Sequence, residues 1–300
     1  MKLVLFFVAG LLGVAAAVGL LALSSKIDRN AAFETKAALQ ISEYVSAARD
    51  NSEPPLSVAS LASDPILSAM VHPKRTQADI SDDGVRKVLD VLRFTGIRPG
   101  DTVLELQAGS GYYTELFSFI VGANGMVAMH NPPEFDDFLT PAVLAARLGE
   151  EGRRLSNVRV TKSSFDNLDA PDGSVDLVTW FLGPHELWMT NEAGEMTLGD
   201  PAKTYAEIYR VLKPGGRFIA LDKSSPDYTL EHESSTSHKI SPKHVIARAE
   251  AAGFTLAKTS DILSNKPQQT SAGKKYDMNV VDPGKRLSTD RFLHMYIKPE

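Results

Sequence analysis

The 300-residue sequence contains no cysteine. Disulfides, zinc ribbons and thiol catalysis are therefore excluded, and the absence fits an oxidising compartment without proving one. An excess of charge of one sign is also lacking, because 32 basic and 37 acidic side chains leave a net charge of -5. Such a surface has no general attraction for a polyphosphate backbone, so we expect no nucleic-acid partner.

The remaining composition is that of an ordinary globular protein, with 43% hydrophobic and 23% charged residues. This composition excludes a disordered chain, a collagen-like repeat and a coiled-coil rod. A chain of this length also buries enough apolar surface to form a core without disulfides or a structural metal.

The N-terminus carries one long apolar stretch, residues 3–23, without a charged or hydrogen-bonding side chain. As a helix this stretch would be about 31 Å long, which is enough to span a bilayer. Lys2 before it and Lys26 and Arg29 after it only weakly favour a cytoplasmic N-terminus. We expect an inner-membrane anchor with a periplasmic domain, or a signal peptide whose cleavage releases the chain into the periplasm. A buried helix is the third alternative.

The pattern changes after Pro99 and Gly100. Before them, residues 27–51 and 83–94 show the three-to-four spacing of amphipathic helices. After them, short apolar runs alternate with helical stretches, which is typical of βαβ units and a mostly parallel sheet. The predicted strands are residues 102–106, 126–130, 158–161, 175–181 and 217–222. The predicted helices between them are residues 112–121, 141–148 and 202–212.

The pattern of the C-terminal part predicts a different kind of connection between strands. The phrase Lys-Pro-Gly-Gly at residues 213–216 predicts a helix stop and a turn. A helix at residues 242–252 precedes two late strands, 255–259 and 291–297, which are separated by a long polar loop. This arrangement predicts a final hairpin and not another βαβ crossover.

A glycine turn follows the first predicted strand, in the phrase VLELQAGSGYY at residues 103–113. Glycine lets a ligand approach the backbone, and the N–H groups at the start of the following helix attract a carboxylate or phosphate. A dinucleotide-binding loop would read G-x-G-x-x-G. If the motif starts at residue 107, its first position is Gln107, and if it starts at Gly109, its third glycine position is Thr114. The spacing argues against an NAD-type oxidoreductase.

The interval from about residue 96 to 254 resembles the class I S-adenosylmethionine-dependent methyltransferases. The resemblance rests on VLELQAGSGYYTELFS, SFDNLDAPDGSVDLVTWF and EIYRVLKPGGRFIALD in this order. The phrases HPKRTQADISDDGVRKVLDVLRFTGIRPGD and DPGKRLSTDRFLHMYIKP are similar to a group of predicted bacterial methyltransferases that often carry export signals.

The resemblance implies an α/β, Rossmann-like fold with a seven-stranded, mostly parallel sheet of order 3-2-1-4-5-7-6, whose last strand is antiparallel. It implies S-adenosylmethionine as cofactor, bound across the carboxyl ends of the first strands. The expected organisation is an anchor or signal peptide at residues 1–25, a helical segment at 26–80 and a methyltransferase-like domain at 81–300.

The resemblance also implies the cofactor-binding residues. Glu105, Gly109 and Gly111 match the positions that frame the methionine end, and Phe165 and Asp166 match the positions that meet adenine. The alternatives are a tight turn alone for the glycines and a turn or helix-cap role for the aspartate.

The sequence departs from the family at two cofactor-binding positions. Gln107 replaces the first glycine of the loop, so its side chain must point away or contact the ligand. The acid that usually follows the second strand and holds the ribose hydroxyls is absent, and His130 and Asn131 stand there instead. Either could hydrogen-bond a ribose, but neither offers the paired acceptors of a carboxylate.

His185 is the best candidate for a catalytic base. It follows the strand at residues 175–181, so it is expected at the carboxyl edge of the sheet, near the transferred methyl group. Methyl transfer depends mainly on alignment and needs a base only if the acceptor loses a proton. Glu186 is expected to orient the imidazole. The alternative is a loop histidine that caps a helix.

Three other groups are weaker candidates. Tyr112 and Tyr113 either line the cofactor site or are packing residues. Asp222 with Lys223 either contacts substrate or forms a surface ion pair. The spacing of His232 and His238 matches no standard metal motif, so no metal site is expected.

Two functions remain open at this level. The first is an envelope methyltransferase that acts on an unidentified small-molecule or lipid acceptor. The second is a non-catalytic envelope binding module that keeps the fold. Gln107 and His130 favour the second, whereas Gly109, Gly111 and His185 favour the first.

Overall fold

The structure is a computed structural model that describes residues 63–137, 139–265 and 289–300. The predicted anchor or signal peptide at residues 3–23 and the predicted helix at 27–51 lie outside these residues. Within the described ranges, no helix is both long and apolar enough to cross a membrane. The chain divides into two compact units, residues 1–80 and 81–300.

The described part of the first unit contains a short helix, α1, at Pro65–Met70. Asp64 caps it, because its carboxylate accepts hydrogen bonds from the backbone N–H groups of Ile66 at 2.8 Å and Leu67 at 3.1 Å. Proline at the first helical position loses no hydrogen bond there. The next helix, α2 at Gln77–Arg86, runs across the division between the units.

The second unit is an α/β domain built on one sheet. Its strands are β1 Thr102–Leu106, β2 Met126–His130, β3 Val158–Thr161, β4 Val175–Phe181, β5 Leu212–Lys223, β6 Thr255–Ser260 and β7 Arg291–Ile297. Its helices are α3 Val88–Thr95, α4 Tyr112–Val121, α5 Pro141–Leu148, α6 Pro201–Val211, α7 Ser234–Ser237 and α8 Pro242–Ala251. Short 3-10 turns occur at Pro133–Phe135, Glu150–Gly152, Pro184–Trp188 and Glu231–Glu233.

The seven strands lie in the order β3-β2-β1-β4-β5-β7-β6. Strands β1 to β5 are parallel, and β7 pairs antiparallel with both β5 and β6. The predicted fold class and the final hairpin are therefore confirmed. Central strands of such a sheet are covered on both faces, which is why β1 and β4 contain nearly continuous apolar residues.

Two local predictions were wrong. The predicted helix at residues 83–94 is split into α2 and α3, because Lys87 adopts a left-handed conformation with φ 48°. Its Nζ donates to the carbonyl of Ile262 at 2.5 Å, so a tertiary contact accompanies the break. The predicted turn at residues 213–216 lies inside β5, where the register with β4 is irregular. Leu212 pairs with Val175 and Arg217 with Leu177, so residues 213–216 oppose one residue of β4, and the glycine pair lies in this irregular stretch.

Candidate cofactor and active site

The carboxyl ends of β1, β4 and β5 bring the candidate residues together at one edge of the sheet. Leu106 in β1 lies opposite Trp180 in β4, and Phe181 lies opposite Leu221 in β5. The loops that follow these three strands therefore start side by side. Ligands of open α/β sheets bind in this position.

The glycine loop after β1 is held by the residue that follows β2. The side-chain oxygen of Asn131 accepts from the backbone N–H of Gly109 at 2.8 Å, and its amide nitrogen donates to the Gly109 carbonyl at 3.3 Å. Asn131 is therefore engaged with the loop. A Cβ on Gly109 would meet no heavy atom within 4 Å, so space is open beside this backbone.

The loop leads into α4 through Gly111, which has φ 81°. A Cβ at this glycine would lie 3.0 Å from side-chain atoms of Arg147 and Met129. Both the backbone conformation and the close approach require glycine here. The Nε of Arg147 donates to the Ser110 carbonyl at 2.9 Å, which holds the loop from its outer side.

An ion cluster supports the first turn of α4. Glu115, whose side chain is 1% exposed, pairs with Arg147 and with Arg154 at 2.5 Å. The carboxylate also lies in the first helical turn, where negative charge is favourable. The cluster connects α4 to α5 and to the segment that follows α5.

Glu105 in β1 is buried below the loop and accepts a hydrogen bond from the Thr114 hydroxyl at 2.5 Å. Burial raises the pKa of Glu105 to about 8, against the opposing effects of the Thr114 hydrogen bond and the charge of Arg147. An acid of this kind becomes a carboxylate readily when a cation binds beside it. The predicted position of Glu105 next to an ammonium group suits that property.

The Glu105→Gln variant is expected to change the pH dependence of stability. The folded-state pKa of about 8 lies above the ordinary 4.5, so the contribution of Glu105 to the free energy of unfolding falls as pH rises from about 4.5 to 8. The slope from one group is at most about 1.4 kcal/mol per pH unit. Glutamine removes this contribution and can still accept from Thr114. Urea unfolding at pH 5 to 9 measures it, and parallel curves for both proteins would contradict the expectation.

The predicted adenine-binding position lies on the β2–β3 side of the loop. Phe165 is fully buried, with its ring 5.3 Å from that of His130 and 5.0 Å from that of Trp180. Asp166 is partly exposed and accepts from Ser164 and from the backbone N–H of Asp200 at 3.1 Å. Burial opposes the charged form of Asp166, but these hydrogen bonds outweigh it and lower the pKa.

His130 lies at the end of β2 but faces the protein. Its side chain is buried, and Nε2 lies 2.9 Å from the Ser163 carbonyl. Burial lowers the pKa of His130 to about 4, against the opposing effect of the Ser163 hydrogen bond. A ribose contact from Nε2 would require exchange of the Ser163 contact. Its Nδ1 has no partner among the described residues.

His185 begins the loop after β4 and is held by Asp222 at the end of β5. The Asp222 carboxylate accepts from His185 Nδ1–H at 2.9 Å and from the His185 backbone N–H at 2.9 Å. Both side chains are buried, with exposures of 3% and 0%. The surface ion-pair alternative for Asp222 is therefore wrong.

The close contact with the imidazole comes from Asp222, whereas the Glu186 carboxylate lies 3.7 Å from His185 Nε2, so the orienting role of Glu186 stays a prediction. Glu186 accepts from the side-chain amide of Gln107 at 2.7 Å. The Gln107 oxygen in turn accepts from Trp180 Nε1 at 3.1 Å. This chain of contacts connects the glycine loop to the loop after β4.

Although Gln107 replaces a glycine of the methyltransferase family, its contacts with Glu186 and Trp180 fix the position of its side chain. Its backbone is left-handed, with φ 54°, a conformation that costs a non-glycine residue energy. A Cβ on Gly183 would lie 2.3 Å from the Gln107 side-chain oxygen. The glutamine therefore packs against a position that only glycine can occupy.

A cavity of about 220 Å³ opens at this edge. It is lined by Gln107 and the glycine loop, by Phe181, Leu182 and Leu221 at the ends of β4 and β5, and by Tyr112 and Tyr113, whereas His185 is not one of its lining residues. The rings of Tyr113 and Phe181 lie 4.7 Å apart in an edge-to-face arrangement. The tyrosines therefore form part of the cavity wall and also pack against their neighbours.

Sequence reasoning missed Asp222 as the partner of His185 and missed two arginines of the cavity, Arg86 and Arg291. The signal for Asp222 was its position at the end of a strand adjacent to β4. Among the described residues no group of three metal-ligating side chains occurs.

The sheet order and the glycine loop after β1 define the class I methyltransferase fold. Residues 104–220 match the family model described as a methyltransferase domain. The described part of the chain therefore has the class I methyltransferase fold, and residues 104–220 are similar to a methyltransferase domain. S-adenosylmethionine is the cofactor of this class, in agreement with the prediction from the sequence.

Similar curated proteins include the ubiquinone/menaquinone biosynthesis C-methyltransferase of Psychromonas ingrahamii. It is 32% identical over 171 residues, which cover 54% of this chain and 61% of the relative. The corresponding protein of Hydrogenovibrio crunogenus is 33% identical, with coverage of 49% and 52%. The chain thus spans about half to three fifths of the length of these curated relatives.

One similar solved structure supports the fold. The [4+2]-cyclase SpnF is 16% identical, with a TM-score of 0.51 and coverage of 75% of this chain and 86% of that one. A SAM-dependent methyltransferase from Aquifex aeolicus is 22% identical, with a TM-score of 0.48 and coverage of 71% and 89%.

Proposed function

We propose that the protein transfers a methyl group from S-adenosylmethionine to a small-molecule acceptor that loses a proton to His185. The observation that carries the proposal is the buried pair of His185, on the loop after β4, and Asp222, at the end of β5. A histidine held at Nδ1 by a carboxylate has its Nε2 left to accept a proton.

The residues at the sheet edge fit the cofactor of this class. Open space beside Gly109 and the buried Glu105 carboxyl suit the methionine end, and Phe165 and Asp166 suit adenine. When bound, the cofactor supplies an electrophilic methyl group on sulfur. The protein then contributes alignment, which is the main requirement of an in-line displacement.

Glu186 supports the proton transfer in this proposal. Burial raises the pKa of Glu186, while the charge of His185 and the hydrogen bond from Gln107 lower it. As a carboxylate 3.7 Å from Nε2 it favours the imidazolium that forms when His185 accepts a proton. Gln107 then acts as a positioning residue for Glu186.

The acceptor is proposed to be small and at least partly apolar. Aromatic side chains form part of the cavity wall. The curated relatives are named for the biosynthesis of ubiquinone and menaquinone, which are apolar ring compounds. An envelope location, through an anchor or an export signal at residues 3–23, would bring the domain near membrane-dissolved acceptors.

A non-catalytic binding module is the second candidate. Two observations favour it: Gln107 is bonded into the site where the family has glycine, and His130 faces Ser163 where the family has an acid. The same fold occurs in a protein named as a [4+2]-cyclase, so the fold alone does not fix the reaction.

Methyl-labelled S-adenosylmethionine distinguishes the two candidates. The full-length protein is incubated with the labelled cofactor and a panel of phenols, carboxylic acids and quinols. The proposal predicts label transfer to at least one acceptor, with release of S-adenosylhomocysteine. A protein that binds the cofactor but labels no acceptor above the level of its His185→Ala variant would favour the binding module.

A further inference from the structure

The cavity beside the glycine loop contains positive charge that the proposed chemistry does not use. Arg291, the first residue of β7, lines the cavity together with Arg86 from the end of α2. Arg86 has a counter-charge, because its Nη2 lies 3.1 Å from the Asp82 carboxylate, and its guanidinium stacks 4.1 Å above the Tyr112 ring.

Arg291 has no such counter-charge. Within residues 63–137, 139–265 and 289–300, no carboxylate pairs with its guanidinium, and its Nε is buried without a hydrogen-bond partner. Burial lowers the pKa of Arg291, with Tyr113 opposing and Arg86 adding to this effect. A partly desolvated cation without a partner is costly in a folded protein.

The neighbouring strand has a second basic residue at the position opposite Arg291. Lys223 at the end of β5 lies directly opposite Arg291 in the antiparallel register. Like charges at directly opposite positions destabilise a sheet. Such an arrangement is expected where an anion from outside the chain balances the charge.

The position of Arg291 indicates whether such an anion would belong to the cofactor or to the methyl acceptor. The predicted adenine site lies on the β2–β3 side of the glycine loop, whereas Arg291 lies on the opposite side, beyond β4 and β5. The His185–Asp222 pair also lies on that side, since its members follow β4 and end β5. An acceptor that is methylated in line must approach from there.

We propose that Arg291 binds a carboxylate of the methyl acceptor, which makes the acceptor a small carboxylic acid with an apolar or aromatic body. This inference rests on the proposed methyl transfer. Arg291 provides the charge-assisted hydrogen bonds, and the rings of Tyr113 and Phe181 contact the body of the acid. The guanidinium is here a binding group and takes no part in the proton transfer.

Benzoate and its neutral analogue benzamide test the inference. Their affinities for the full-length protein are measured by NMR titration, with and without S-adenosylhomocysteine, for wild type, Arg291→Gln and Arg291→Lys. Arg153→Gln is the matched control, because the Arg153 side chain is 70% exposed in a surface pair. Affinity for S-adenosylhomocysteine and for methylthioadenosine, which lacks a carboxylate, is measured for the same proteins.

We expect benzoate to bind better than benzamide, and Arg291→Gln to weaken benzoate about tenfold or more. Arg291→Lys should recover part of the loss, and the benzamide and S-adenosylhomocysteine affinities should stay within about twofold of wild type. Equal binding of benzoate and benzamide, or no effect of Arg291→Gln on benzoate, would overturn the inference.

A loss of S-adenosylhomocysteine affinity in Arg291→Gln without a loss for methylthioadenosine would overturn it too, since the arginine would then bind the cofactor carboxylate. Failure of the proposed function has a different signature. In that case wild type labels no acceptor above the level of its His185→Ala variant, whatever the benzoate titrations give.

Discussion

The His185→Ala variant is expected to lose about 10²- to 10⁴-fold in the rate of methyl transfer, which is the usual contribution of a positioned general base. Its affinity for S-adenosylhomocysteine is expected to stay at the wild-type value, because His185 follows β4 and contacts Asp222, not the glycine loop. Single-turnover kinetics with a saturating acceptor measure the rate, and calorimetry measures the affinity.

Two further variants make this expectation specific. Asp222→Asn keeps the shape of the side chain but removes the charge that holds His185 Nδ1–H, so we expect a loss that approaches that of His185→Ala. His232→Ala is the matched control, because His232 is exposed and lies outside this site. Unchanged rates in both active-site variants would contradict the base assignment. An equal loss of rate and cofactor affinity would assign His185 to binding.

The Glu115→Ala variant is expected to lose about 3–5 kcal/mol of the free energy of unfolding, the usual cost of breaking a buried ion pair from one side. Arg147 and Arg154, with side-chain exposures of 11% and 19%, would lose the carboxylate they share. Arg147 also holds the Ser110 carbonyl, so the glycine loop loses support. Urea unfolding at constant pH and salt measures the change.

The surface pair Glu151–Arg153 provides the control for this prediction. Its side chains are 78% and 70% exposed, so Glu151→Ala should change the free energy of unfolding by less than about 0.5 kcal/mol. A change of less than about 1 kcal/mol in Glu115→Ala would contradict the view that the cluster stabilises α4 and its loop.

Much of the fold could be predicted because its signals are local. The short apolar run of β1 and the glycine turn after it lie within ten consecutive residues, and the strands and helices that follow have similarly local signals. The break at Lys87 could not be predicted, since its side chain contacts a carbonyl 175 residues away. Local propensity favours one continuous helix there.

The candidate site likewise combines residues that the local sequence identifies with contacts that depend on the tertiary structure. Gly109, Gly111 and His185 carry their own sequence context, so the sequence alone identifies them as candidates. The pairing of His185 with Asp222 spans 37 residues, and that of Gln107 with Glu186 spans 79, so both depend on the strand order of the sheet. Arg291 enters the cavity through β7, which no motif around the glycine loop indicates.

Calorimetric titration with S-adenosylmethionine and S-adenosylhomocysteine tests whether the glycine loop forms a cofactor site. We expect micromolar binding to the wild-type protein and its loss in Gly109→Arg, whose side chain would occupy the open space beside the loop. The arginine variant must first show a wild-type circular-dichroism spectrum. No binding of either compound to wild type at millimolar concentration, or equal binding to both proteins, would contradict a cofactor site in the glycine loop.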